Sequence, residues 1–131
     1  MSVRSRWAPP ALWAALLFIS SHIRFPPGPA LFSGADKVAH FALYAVLATL
    51  VWRAIVPNAS HLRSAALWSV LLTVAYGALD ELHQRWVPGR ECSFPDWLAD
   101  LCGALAAVAL AMLVSPRRRD ASGAPPAQAK R

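Results

Sequence analysis

Residues 38–56 read VAHFALYAVLATLVWRAIV, an apolar run broken only by one histidine, His40, and one late arginine, Arg53. At about 1.5 Å of rise per helical residue, a run of this length reaches across the roughly 30 Å of bilayer hydrocarbon. It therefore reads as a membrane-crossing helix. Three further apolar runs flank it, from about Trp7 to Ile23, Leu62 to Leu79 and Trp97 to Val114. The first is the weakest, because Pro9 and Pro10 interrupt it; prolines suit the first turn of a helix, so that is where they are expected. A basic start before a short apolar core also describes a signal peptide, but no small-x-small cleavage site follows Ser20, and the run reads as a retained helix.

The expected fold is all-α: a four-helix transmembrane bundle over residues 7–114, preceded by a short cytoplasmic start at 1–6. Residues 115–131, SPRRRDASGAPPAQAKR, cannot bury a core and read as a disordered basic cytoplasmic tail beside anionic lipid. Composition agrees. The chain is 56% hydrophobic and 15% charged, against about 45–50% and about 25% in soluble domains. That excludes disorder for most of the chain, and two cysteines among 131 residues exclude a disulfide scaffold.

The net charge of +6 does not indicate a nucleic-acid partner. Basic residues stand at the edges of the apolar runs, and none of the runs carries the basic, aromatic-interleaved stripe of a nucleic-acid reader. Four spans with the N-terminus inside place Arg4, Arg6, Arg53, Arg63, Arg117, Arg118, Arg119, Lys130 and Arg131 on the cytoplasmic side. Only Arg24, Lys37, Arg85 and Arg90 fall outside. This excess predicts an N-in, C-in orientation in a multi-pass protein of the bacterial inner membrane.

With that orientation, nearly all the acidic residues gather at one end, the expected outer face. Asp36, Lys37 and His40 open the second run; Asp80, Glu81, His83 and Gln84 follow the third; Arg90, Asp96 and Asp100 lead into the fourth. Asp36, His40 and Tyr44 recur at intervals of four, as do Tyr76, Asp80 and Gln84, so each set shares one helical face; Asp96, Asp100 and Gly103 share another. Ionisable groups within a span are costly and normally turn toward protein or water and pair. Asp100 therefore requires a donor, for which His40, Lys37 and Arg90 are candidates. The small residues from Gly103 to Ala111 allow close helix approach and mark the fourth helix as central. Both cysteines are expected to be free, Cys102 as a packed small residue, while Trp86 and Trp97 suit the membrane interface.

The order Asp36-Lys37-x-x-His40-Phe41-x-x-Tyr44, then Asp80-Glu81-x-x-Gln84, then Arg90, Asp96, Asp100 and Gly103-Ala104 resembles the VanZ-like family of small bacterial membrane proteins. The resemblance covers roughly residues 32–114 and marks Asp36, Lys37, His40, Tyr44, Glu81, Gln84, Arg90, Asp96 and Asp100. It implies a membrane protein of unestablished molecular activity in a family named for glycopeptide resistance, hence a cell-wall precursor or glycopeptide-related ligand as a candidate partner. Asp100 departs from the pattern, which has an asparagine there.

Three functions compete. Recognition of an anionic lipid head group or envelope precursor at the outer face would use Lys37 and Arg90 on phosphate, with Tyr44, Asp80, Glu81, Gln84 and Asp96 shaping the site. An enzyme acting on a lipid-linked substrate would use His40 as acid or base, oriented by Asp36 or Asp100, but no nucleophile motif accompanies it. A purely structural role would have the polar groups fix helix packing. Recognition is preferred, because recognition groups outnumber reactive ones. No cofactor is expected, nor a metal, since His40 and His83 fall in no ligand motif.

Overall fold

The computed structural model describes residues 3–22, 34–58, 61–90 and 92–115. Among them are four helices: α1 (Val3–His22), α2 (Ala35–Ile55), α3 (Leu62–Gln84) and α4 (Phe94–Val114), with a short 3₁₀ turn at Val56–Asn58 and no strand. The all-α bundle expected from the sequence is what forms. Ile23 and Arg24, and everything past Ser115 in the tail, lie outside the described residues.

The helices outrun the apolar segments. α2 begins at Ala35, α3 continues past Leu79 to Gln84, and α4 starts at Phe94. An apolar run stops at the first charged side chain, but the backbone ladder continues wherever that side chain turns inward to a partner. α1 begins at Val3, so Pro9 and Pro10 lie in its interior rather than in its first turn. There they remove two amide donors. Ser93 starts α4: its side chain accepts the Asp96 N–H at 3.3 Å, and Pro95 occupies the first turn, where a missing N–H costs nothing.

Cross-helix bonds fix the directions. Lys37 meets Asp96 and His40 meets Asp100, so α2 and α4 run parallel. Ser21 meets Asp80, and the Tyr76 hydroxyl donates to the Ala14 carbonyl at 2.6 Å, so α1 and α3 run parallel to each other. Tyr44 reaches Asp80, which joins the end of α3 to the start of α2. The end of α1, start of α2, end of α3 and start of α4 thus share one polar end.

The interior is not built as a soluble core. Ala48, Trp52, Ala65, Ala104 and Val108 form one buried apolar cluster, and Leu17, Tyr44, Leu47 and Val51 another. Yet the buried face of α3 is Ala65, Ser69, Thr73, Gly77, Asp80, Glu81 and Gln84, small or polar throughout. Leu67, Trp68, Leu71, Leu72, Leu105, Leu110 and Leu113 are exposed. Small and polar inside with large and apolar outside is the pattern of helices packing in lipid, where close backbone approach replaces hydrophobic burial. α2, α3 and α4 are each long and apolar enough to cross a membrane. α1 joins them through Tyr76 and through the Trp13 indole N–H, which donates to the Leu43 carbonyl at 3.1 Å.

α2, rather than α4, is central: it packs against all three other helices, whereas α4 packs mainly against α2 and α3. The small residues of α4 serve the α2 contact instead. A Cβ added at Gly103 would collide with the Phe41 carbonyl on α2. That approach turns Gly103, Ala104 and Asp100 inward and leaves Cys102 exposed rather than packed.

Candidate functional site

Helical spacing brings the polar residues to one end, and the structure sorts them into three groups by what each carboxylate receives. Asp80 is saturated. Its Oδ1 accepts from the Ser21 hydroxyl on α1 at 3.0 Å, a proton shared with the Phe18 carbonyl at 2.8 Å, and its Oδ2 accepts from the Tyr44 hydroxyl on α2 at 3.3 Å and from the Gln84 amide on α3 at 3.1 Å. At 6% exposure it ties three helices together, which is a packing role.

Asp36, Lys37 and Asp96 form the second group, at the rim. The Lys37 ammonium donates to Asp36 at 2.9 Å and to Asp96 at 3.2 Å, and both Asp36 and Lys37 are exposed. Lys37 is thus held by two carboxylates. Asp36 does not orient His40.

The third group is His40, Glu81 and Asp100, from α2, α3 and α4. Of the three donors considered for Asp100, His40 supplies the bond: Nδ1 lies 2.9 Å from Asp100 Oδ1 and 4.0 Å from Glu81 Oε1. Asp100 is wholly buried and Glu81 is 3% exposed. The second Glu81 oxygen, Oε2, accepts the Ser93 backbone N–H at 2.7 Å, so the serine that caps α4 also aims Glu81. Gly77 makes room for the group, since a Cβ there would stand 2.9 Å from Asp100 Oδ2 and 3.1 Å from the Tyr44 ring. Two carboxylate oxygens, Glu81 Oε1 and Asp100 Oδ2, are buried with no hydrogen-bond partner among the described residues. Atoms of all three side chains that can ligate a metal lie within 4.8 Å of one another. Buried polar atoms are normally paired, so this shortfall distinguishes the group from Asp80.

Arg90 stands beside the cluster. Gly89, at φ +83°, lets the chain turn after α3, and the Arg90 N–H closes onto the Val87 carbonyl at 3.0 Å. Arg90 lines a small cleft of about 50 Å³ with Ser20, Ser21, His40, Asp80 and Gln84. Its guanidinium has no ion-pair partner among the described residues.

The sequence reading missed Ser21, Gly77 and the backbone of Ser93; a small or capping residue carries no chemical signal of its own. It also left His83 outside the pattern, whereas His83 Nε2 lies 3.0 Å from His22 Nε2 across α1 and α3, beside Phe18. Trp86 is 78% exposed, as an interface residue would be. Trp97 instead packs between helices, donating from its indole to the Val74 carbonyl at 3.3 Å.

A small helical bundle with lipid-suited outer faces and a buried polar end is the architecture of an integral membrane protein. The VanZ/LLP1 family model matches residues 5–115, and the chain belongs to that family. No curated protein and no solved structure matches it.

Proposed function

We propose that this VanZ-family membrane protein recognises the phosphate-bearing head group of an anionic lipid or lipid-linked cell-envelope precursor at its polar end. The supporting observation is Arg90: a half-buried residue, lining a polar cleft, whose guanidinium has no ion-pair partner among the described residues. Arginine presents a planar fork that matches phosphate oxygens. Lys37 is already held by Asp36 and Asp96, so Arg90 is the primary phosphate contact and Lys37 a secondary one.

A second feature suits a lipid. An apolar groove of about 540 Å³ runs between α2 and α4, with Phe41, Ala45, Thr49, Ala107 and Leu110 among its walls. Lys37, Phe41 and Ala45 follow at intervals of four on α2, so the groove begins one turn from the rim ion pair and fits a hydrocarbon chain whose head group lies at that rim. The excess of basic residues in the opposite flanks orients the polar end to the outer face of the bacterial inner membrane, with both termini inside.

Mass spectrometry of lipids that co-purify with the full chain tests the proposal. A specific anionic or polyprenyl lipid is expected with the wild type and is expected to be depleted in Arg90→Ala. Identical bulk lipid in both preparations would leave packing as the role of the cluster. A second reading, an acid–base enzyme, rests on the His40–Asp100 bond, which fixes the imidazole when Nδ1 donates and leaves Nε2 as a proton acceptor. Release of phosphate from a polyprenyl phosphate or diphosphate, lost in His40→Gln, would favour it over recognition alone.

A further inference from the structure

We propose that His40, Glu81 and Asp100 form a binding site for one divalent metal ion of the zinc or manganese type. Three helices each contribute one donor, and these donors lie within 4.8 Å of one another. Donors on a metal with bonds of about 2.0–2.2 Å stand about 3.3–3.6 Å apart at tetrahedral angles and at most about 4.0–4.4 Å when opposite one another. The widest separation must therefore close by about 0.4–0.8 Å for donors placed opposite one another and by about 1.2–1.5 Å at tetrahedral angles, a shift that rotation of the Glu81 side chain supplies.

Proximity alone would not carry the inference, because carboxylates also cluster for packing. The unsatisfied oxygens do carry it. Glu81 Oε1, on a side chain 5% exposed, faces His40 Nδ1 at 4.0 Å and has no hydrogen-bond partner among the described residues; neither has Oδ2 of the wholly buried Asp100. Asp80, one residue before Glu81, receives three donors from three helices. The fold can thus satisfy a carboxylate at this end of the bundle, yet it leaves two oxygens of the His40 group without donors.

Charge points the same way. Two buried carboxylates face one imidazole, and an unpaired buried charge is costly. Lys37 is engaged by Asp36 and Asp96 at the rim, and Arg90 lines the cleft beside Asp80 and Gln84. A divalent cation balances both carboxylates and takes the imidazole as a neutral donor. The donor set selects the class: one imidazole nitrogen with carboxylate oxygens suits zinc or manganese, whereas calcium and magnesium favour all-oxygen sites and copper(I) favours thiolates. Cys92 and Cys102 are both exposed and take no part. The Ser93 N–H on Glu81 Oε2 supplies the outer hydrogen bond that commonly orients a metal ligand. His40 also lines the Arg90 cleft, so a metal here would lie beside the proposed phosphate contact.

The test uses the full chain in detergent, stripped with a chelator and equilibrated with zinc or manganese in the micromolar range. Bound metal is counted by elemental mass spectrometry, and cobalt(II) substitution is followed by its visible absorption. About one ion per chain is expected, with affinity reduced about tenfold or more in Glu81→Gln and Asp100→Asn and unchanged in the rim variant Asp36→Asn. Circular dichroism establishes that each variant stays helical. Nitrogen coupling from a single imidazole in the electron paramagnetic resonance spectrum of the copper(II)-loaded wild type gives a readout that needs no variant. Wild type that binds no ion, or binding kept at full strength in both Glu81→Gln and Asp100→Asn, would overturn the proposal. A site that binds metal but no lipid would refute the lipid reading and leave this one standing.

Discussion

Replacing Gly103 with alanine is expected to destabilise the bundle although alanine is the better helix former. The added methyl would collide with the Phe41 carbonyl oxygen and stand 3.0 Å from its carbonyl carbon, against an ordinary contact of 3.4–4 Å. The obstacle is backbone, which cannot rotate aside, so α2 and α4 must separate to admit the methyl. That interface carries the Lys37–Asp96 and His40–Asp100 bonds and part of the Ala48–Ala104–Val108 cluster. Overpacking costs about 1–3 kcal/mol, and the gain in helix propensity offsets about 1 kcal/mol of it. With backbone as the obstacle the cost falls in the upper part of that range, about 2–3 kcal/mol, and a net loss of about 1–2 kcal/mol follows. Gly77→Ala is the control: there the obstacles are the Asp100 carboxylate and the Tyr44 ring, side chains that can yield. Its net stability change is expected to stay within about 1 kcal/mol, while metal affinity falls because Asp100 is displaced. Unfolding in mixed micelles of increasing dodecyl sulfate fraction, followed by helical circular dichroism, measures both. Gly103→Ala as stable as wild type, or stabilised by the propensity gain, would refute the close approach of α2 and α4.

Asp80→Ala strands the Tyr44 hydroxyl and the Gln84 amide, while the Ser21 hydroxyl keeps the Phe18 carbonyl, and should cost about 2–4 kcal/mol in the same unfolding assay; a loss below about 0.5 kcal/mol would contradict its role as a node. Tyr76→Phe removes the bond to the Ala14 carbonyl, so a loss of about 1 kcal/mol is expected, with faster proteolysis of α1 as the second readout. Orientation is measured with a membrane-impermeant thiol reagent on spheroplasts, in a background carrying Cys92→Ser and Cys102→Ala. Arg85→Cys should label and Ser122→Cys should not; the reverse pattern would invert the bundle.

The fold was legible because α2, α3 and α4 each carry apolar runs long enough to cross a bilayer, and no soluble element needs such runs. The helix ends were not, because composition marks where charge begins and not where the backbone ladder stops: Asp80, Glu81 and Gln84 continue α3 by turning inward. Convergence of the polar faces followed from i, i+4 spacing. The pairing did not, since His40 has carboxylates near it on its own helix and on two others. Only the packing shows that Asp100 takes its bond while Asp36 is engaged by Lys37. The centrality of α2 was hidden for a related reason: small residues on α4 declare that something approaches closely, and the inward stripe Ala65, Ser69, Thr73 and Gly77 on α3 makes the same declaration, but neither names its neighbour.

Native mass spectrometry of the full chain with a short-chain phosphatidic acid, in wild type, Arg90→Ala and Asp36→Asn, most directly tests whether the polar end recognises phosphate. Saturable binding that falls about tenfold or more in Arg90→Ala is predicted, as loss of a charge-assisted contact would give, while Asp36→Asn binds at least as well as wild type. Equal binding by wild type and Arg90→Ala, or none above that of a zwitterionic lipid of the same chain length, would contradict the account.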